Sequence, residues 1–154
     1  MKRLAIVLMI VIVCIGFSEN LIAEQKATEV FTNFGGFILH SGAGLFFIGA
    51  NIDHNLGRYL VLTGNANVLW YLYLPIAFEY AGVLNFKVKN AFFGCGISRL
   101  QSFWGGGEGV TLLKMNIGIK TKKIRASLFI YSHFENTFES ENTIMGVQIG
   151  IRIK

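Results

Sequence analysis

The chain sorts its side chains by parity. From Ile144 to Lys154, Met145, Val147, Ile149, Ile151 and Ile153 fall on one side of an extended strand, and Gly146, Gln148, Gly150, Arg152 and Lys154 on the other. Alternation with this period recurs upstream and predicts eight strands, over about 29–40, 44–54, 58–68, 70–82, 88–99, 110–121, 123–134 and 143–153. Turn chemistry separates them: Ser41-Gly42-Ala43-Gly44, His54-Asn55-Leu56-Gly57, Gly82 to Asn85, the Gly105-Gly106-Gly107-Glu108-Gly109 run, Lys122-Lys123, and Glu135 to Asn142. Connections this short make hairpins. The expected fold is therefore all-β, an eight-stranded antiparallel up-and-down barrel.

Seven apolar faces can be read from the pattern. They are Phe46, Ile48, Ala50 and Ile52; Leu60, Leu62, Gly64, Ala66 and Val68; Leu72, Leu74, Ile76, Phe78 and Tyr80; Ala91, Phe93, Cys95 and Ile97; Leu113, Met115, Ile117 and Ile119; Ile124, Ala126, Leu128 and Ile130; and the terminal ribbon above. The first strand stays ambiguous, because Phe31, Phe34, Phe37 and Ile38 do not share a side. A soluble barrel could show the same alternation with its apolar faces turned inward, so the opposite faces decide. A water-facing surface is dense in Lys and Glu. These faces instead carry Gly49, Asn51, Asn65, Asn67, Gly94, Gly96, Ser98, Asn116, Gly118, Gly146, Gln148 and Gly150. Small and amide side chains suit a narrow, filled interior, and a Lys or Arg at mid-depth on a lipid face costs about 2–4 kcal/mol. The pattern thus points to a transmembrane barrel with the apolar faces outward.

Composition agrees with this placement. The chain has 154 residues, 53% hydrophobic and only 15% charged, enough for one domain but short of the charge that coats a soluble one. Met1-Lys2-Arg3 followed by the apolar run Leu4 to Phe17 reads as a secretory signal, shorter than a spanning helix. Cleavage is expected after Ser18 or Ala23. With Ala23 preferred, residues 1–23 are the signal peptide and 24–154 the barrel. Cys14 lies inside the signal, after Val13 rather than the small residue a lipid-modified Cys needs, which leaves Cys95 alone in the mature chain without an intramolecular disulfide. The net charge of +5 loses Lys2 and Arg3 with the signal and forms no dense basic stripe, so nucleic acid is not an expected partner.

With an even strand number both termini lie at the periplasmic end. Lys87, Lys89, Lys120, Lys122, Lys123 and Arg125 then gather at that end, and Glu108, Glu135, Glu139 and Glu141 in the outer loops. Trp70, Phe103 and Trp104 fall near the outer rim, where amphipathic rings favour the membrane interface. Glu79, Lys89, Lys120, Arg125 and Arg152 are expected to face inward near the periplasmic end as an ion-pair cluster that plugs the lumen. His40 and His54 sit at strand ends, and no His-x-x-His, Cys-x-x-Cys or Glu-x-x-His spacing suggests a metal. The glycine run lacks the Gly-Lys-Ser/Thr ending of a phosphate loop.

Leu72-Tyr73-Leu74-Pro75-Ile76-Ala77-Phe78-Glu79-Tyr80, followed by Ala91-Phe92-Phe93-Gly94-Cys95-Gly96, resembles the small outer-membrane β-barrel family of diderm bacteria. The resemblance implies the eight-stranded fold, an outer-membrane location among lipid and lipopolysaccharide, and insertion by the barrel assembly machinery. Such barrels usually finish on an aromatic residue, whereas this sequence ends Ile153-Lys154. A narrower stretch, Tyr131-Ser132-His133-Phe134-Glu135-Asn136 with Asn142 beyond, resembles the C-terminal hairpin of outer-membrane lipid A deacylases, which carry His-x-Ser-Asn. That resemblance implies His133 as general base with Asn136 beside it. The nucleophile position, however, holds Glu135, and Ser132 points to the opposite face, so no attacking hydroxyl is in place.

The sequence reading is thus a monomeric outer-membrane barrel without open pore, cofactor or metal, with a structural or surface-interaction role. A degenerate deacylase-like ester hydrolase using His133, Glu135 and Asn136 is the first alternative. A soluble periplasmic barrel carrying an apolar ligand is the second.

Overall fold

A computed structural model of the protein describes residues 28–39, 42–104, 109–133 and 143–153. Eight strands form in chain order: β1 Thr28–Ile38, β2 Gly44–Asn55, β3 Leu60–Tyr71, β4 Leu74–Val88, β5 Ala91–Ser102, β6 Val110–Lys120, β7 Ile124–His133 and β8 Thr143–Arg152. Each pairs antiparallel with its neighbours, and β1 pairs with β8 from Phe31↔Arg152 to Ile38↔Met145, which closes the sheet into a barrel. Closure removes every open edge, so the strand backbone is satisfied without water.

The registers reveal how steeply the strands tilt. Stepping across the pairs from Asn33 through Gly49, Asn67, Glu79 and Leu100 arrives at Val110 on β6. Stepping the other way through Gly150 and Arg125 arrives at Lys120 on the same strand, ten residues away. A stagger of this size goes with strands inclined by roughly 35–45° to the axis and with an interior that side chains alone can fill.

The facings follow the parity of the sequence. Phe46, Ile48, Ile52, Leu62, Phe93, Ile97, Ile117, Ile119, Leu128, Met145, Val147, Ile149 and Ile151 are all exposed on the exterior. The alternating partners Phe47, Asn51, Asp53, Thr63, Asn65, Asn67, Ser98, Lys114, Asn116 and Gln148 are buried inside. In β1, Phe31, Asn33 and Phe37 point inward while Phe34 and Ile38 point outward.

Two elements depart from the sequence expectation. The turn expected at Gly82 to Asn85 is absent: β4 runs on to Val88 and turns at Lys89-Asn90, where Lys89 takes φ 54°. Gly82 faces open space on the exterior, and Val83 and Asn85 are buried in the lumen, so this stretch has the alternation of a strand despite its glycine. The β3–β4 turn lies at Leu72-Tyr73, with Leu72 at φ 55°, rather than before residue 70. A register shift between Leu69 and Trp70 leaves Ile76 as an extra residue in β4, and Ile76 packs against the interior cluster instead of facing out.

Candidate functional site

The lumen holds two separate charge clusters. The first centres on Glu79, almost wholly buried on β4. Its Oε1 accepts from Lys114 Nζ at 2.7 Å, Tyr131 OH at 2.6 Å and Ser98 Oγ at 3.0 Å, and its Oε2 accepts from Asn67 Nδ2 at 2.6 Å. Asn67 Oδ1 in turn accepts from Asn33 Nδ2 at 2.6 Å. Lys114 lies 5.1 Å from the ring centroids of both Phe129 and Tyr131. Those rings belong to an apolar group with Phe37, Leu45, Phe47, Leu69 and Leu112. Both carboxylate oxygens of Glu79 meet donors, as burial demands, whereas Asn33 Oδ1 is buried without a hydrogen-bond partner.

The second cluster lies at the end that holds both termini. Asp53 accepts from Lys120 Nζ at 2.8 Å and Thr63 Oγ1 at 2.7 Å, and stands 3.7 Å from Arg125 Nε. Lys120 also pairs with Glu29, which takes Arg152 NH1 at 2.8 Å. Arg125 stacks over Phe92 at 4.4 Å from its centroid, and with its amide turned to suit its neighbours Asn51 accepts from Arg125 NH1 at 3.0 Å. The lumen also holds the buried amides of Asn65, Asn116 and Gln148.

Of the five residues expected to form one inward cluster, the structure brings together Lys120, Arg125 and Arg152. Glu79 belongs to the other group, since strand tilt brings it beside Lys114 and Tyr131. Lys89 sits exposed on the β4–β5 turn and joins neither. Lys114, Asp53, Glu29 and Tyr131 were absent from the expected set, although each stands on an inward position by simple alternation from its neighbours.

Trp70 faces outward and stacks on Phe46 at 6.3 Å between centroids. Phe103 and Trp104 are exposed where β5 ends, and Trp104 Nε1 donates to Pro75 O at 2.8 Å. His133 pairs with Leu112, whose side chain is in the lumen, so it takes the interior parity at an exposed rim position. Glu135 and Asn136, like residues 1–27 with both cleavage positions, lie outside the described residues. Cys95 is exposed on the apolar exterior. Among the described residues, one charged strand side chain faces outward, Arg99, opposite Tyr80 and Thr111 toward the end away from the termini.

No protein-family model matches this chain, and no curated protein matches it. Solved structures do. A structure from the de novo design of transmembrane β-barrels superposes with a TM-score of 0.60 at 10% identity, covering 84% of this chain and 99% of that one. The N-terminal β-barrel domain of Pseudomonas aeruginosa OprF gives 0.55 at 15% identity over 84% of this chain and 98% of that domain. The designed barrel TMB2.3, solved by NMR, gives 0.55 at 12% identity over 84% and 95%. The class is therefore defined: an eight-stranded barrel with the fold of transmembrane β-barrels. At these identities the likeness is one of fold.

Proposed function

We propose that the protein spans the outer membrane of a diderm bacterium as a small monomeric barrel with a filled lumen, and that it serves envelope structure or surface interaction rather than solute passage. The observation that carries this reading is the exterior. A predominantly apolar exterior, with Arg99 as its single charged strand side chain among the described residues, would be an aggregation surface in water but is the solvated surface in hydrocarbon. The lumen supports the absence of a channel, because ion pairs, amides and aromatic rings occupy it along its length. Lipid and lipopolysaccharide are its surroundings in this reading, reached through an N-terminal export signal and the barrel assembly machinery. A carrier of apolar ligands would need the apolar ribbons inside, opposite to their facing here.

The test is a charge placed mid-belt. Leu128, paired with Ile117 and Val147, is 59% exposed on the exterior. If lipid covers it, Leu128→Lys destabilises the vesicle-folded barrel by about 2–4 kcal/mol. If water covers it, the change stays within roughly 0.5 kcal/mol, and spanning is refuted.

A further inference from the structure

At the end that holds the termini, every connection between strands exposes positive charge. Arg58 is exposed on the β2–β3 turn, Lys89 on the β4–β5 turn, and Lys122 and Lys123 on the β6–β7 turn. Among the described residues no carboxylate balances them. The described acids, Glu29, Asp53 and Glu79, all point into the lumen and are ion-paired there. The charge that this rim presents outward is therefore of one sign among the described residues.

The cations also adjoin the apolar belt. Lys89 follows Val88 and Lys123 precedes Ile124, both of them exposed exterior residues at the edge of the belt. The Arg58 guanidinium lies 5.3 Å from the centroid of the Tyr59 ring, and that ring stacks at 6.0 Å on Phe86, another exterior residue. Long basic side chains rooted there can run their methylenes along hydrocarbon while their heads reach the layer of lipid phosphates. A soluble polyanion would find the same charges but would gain nothing from their junction with an apolar surface.

We propose that this cationic rim binds the phosphates of anionic phospholipids in the leaflet on the terminal side, an inference that rests on the membrane-spanning reading above. A juxtamembrane cation at low salt favours an anionic lipid by on the order of five-fold, and the effect decays within a Debye length.

The experiment uses the full barrel folded into phosphatidylcholine vesicles with a trace of spin-labelled phosphatidylglycerol or spin-labelled phosphatidylcholine. Electron paramagnetic resonance reads the fraction of label immobilised at the protein surface. Phosphatidylglycerol should be enriched about five-fold at low salt, and the enrichment should fall below about two-fold at roughly 1 M salt. It should fall equally when Arg58→Gln, Lys89→Gln, Lys122→Gln and Lys123→Gln are combined, and persist in Arg99→Gln at the other end. A folded quadruple variant that keeps the enrichment, or its loss with Arg99→Gln alone, overturns the rim assignment. Displacement by inorganic phosphate at matched ionic strength overturns it too, in favour of a free-phosphate site. Folding is scored separately by heat-modifiable gel migration. Failure of the unmodified chain to fold into vesicles removes the spanning reading and this inference with it, whereas a folded barrel without lipid preference removes this inference alone.

Discussion

Cutting the Glu79–Lys114 pair from either side should cost far more than cutting it from both. Glu79 and Lys114 are each 1% exposed and 2.7 Å apart. Lys114→Met keeps the stem that packs between Phe129 and Tyr131 but leaves a carboxylate in the lumen with only the neutral donors Tyr131, Ser98 and Asn67. Glu79→Gln leaves the ammonium unbalanced and sets an amide nitrogen against Asn67 Nδ2, donor against donor. Stripping one partner from a buried pair costs about 3–5 kcal/mol, a large part of the roughly 5–15 kcal/mol that holds a domain folded. In the double variant no net charge is buried. The Gln oxygen still accepts from Tyr131 and Ser98, so its stability should return to within about 2 kcal/mol of the parent.

The assay is reversible urea unfolding of the vesicle-folded barrel, followed by the fluorescence of Trp70 and Trp104. Two single losses of about 3–5 kcal/mol against a double loss within about 2 kcal/mol put the coupling at about 4 kcal/mol or more. If the two losses simply add, with coupling below roughly 0.5 kcal/mol, the pair is not the electrostatic unit described here.

Two other outcomes follow from the interior. Gly96→Ala on β5 should destabilise by about 1–3 kcal/mol or block folding, because its Cβ would lie 2.6 Å from Val83 Cα; Gly82→Ala, with no atom within 4 Å, should fold as well as the parent, both read by heat-modifiable migration and urea midpoint. In planar bilayers the unmodified barrel should give no single-channel steps, and regular steps would show that the ion pairs and rings of the lumen leave an aqueous path.

Most of the fold was legible because the apolar exterior and the narrow polar lumen place opposite chemistry on alternate residues. Where the two environments want the same side chain, the pattern goes silent. Phe31 and Phe37 fill the lumen while Phe34 meets the outside, and a phenyl ring suits both, so β1 could be faced only through its pairing with β2 and β8. The turns misled for a related reason. Gly82 carries turn chemistry but sits mid-strand on the exterior, whereas Lys89-Asn90 makes a two-residue turn with a lysine at positive φ. Within the strands charge positions were readable as inward or outward but not as high or low, and Lys89 escaped even that reading because it lies on the turn. A ten-residue stagger separates sequence depth from axial height, which put Glu79 beside the wrong partners until the registers were known.

That stagger also gives the two clusters different work. Around Glu79 every charged group is sealed among rings, so the pair can act only by fixing how β4, β6 and β7 face one another. Around Asp53, by contrast, Lys120 bridges β2 to β6 and Glu29 on β1 takes Arg152 from β8, across the pairing that closes the barrel. Arg152 is 37% exposed, so this cluster grades into solvent and is open to screening by salt. The acids here are fully committed inward, and their withdrawal is what leaves the rim outside them positive. Filling the lumen and charging the rim are thus two results of one placement of carboxylates.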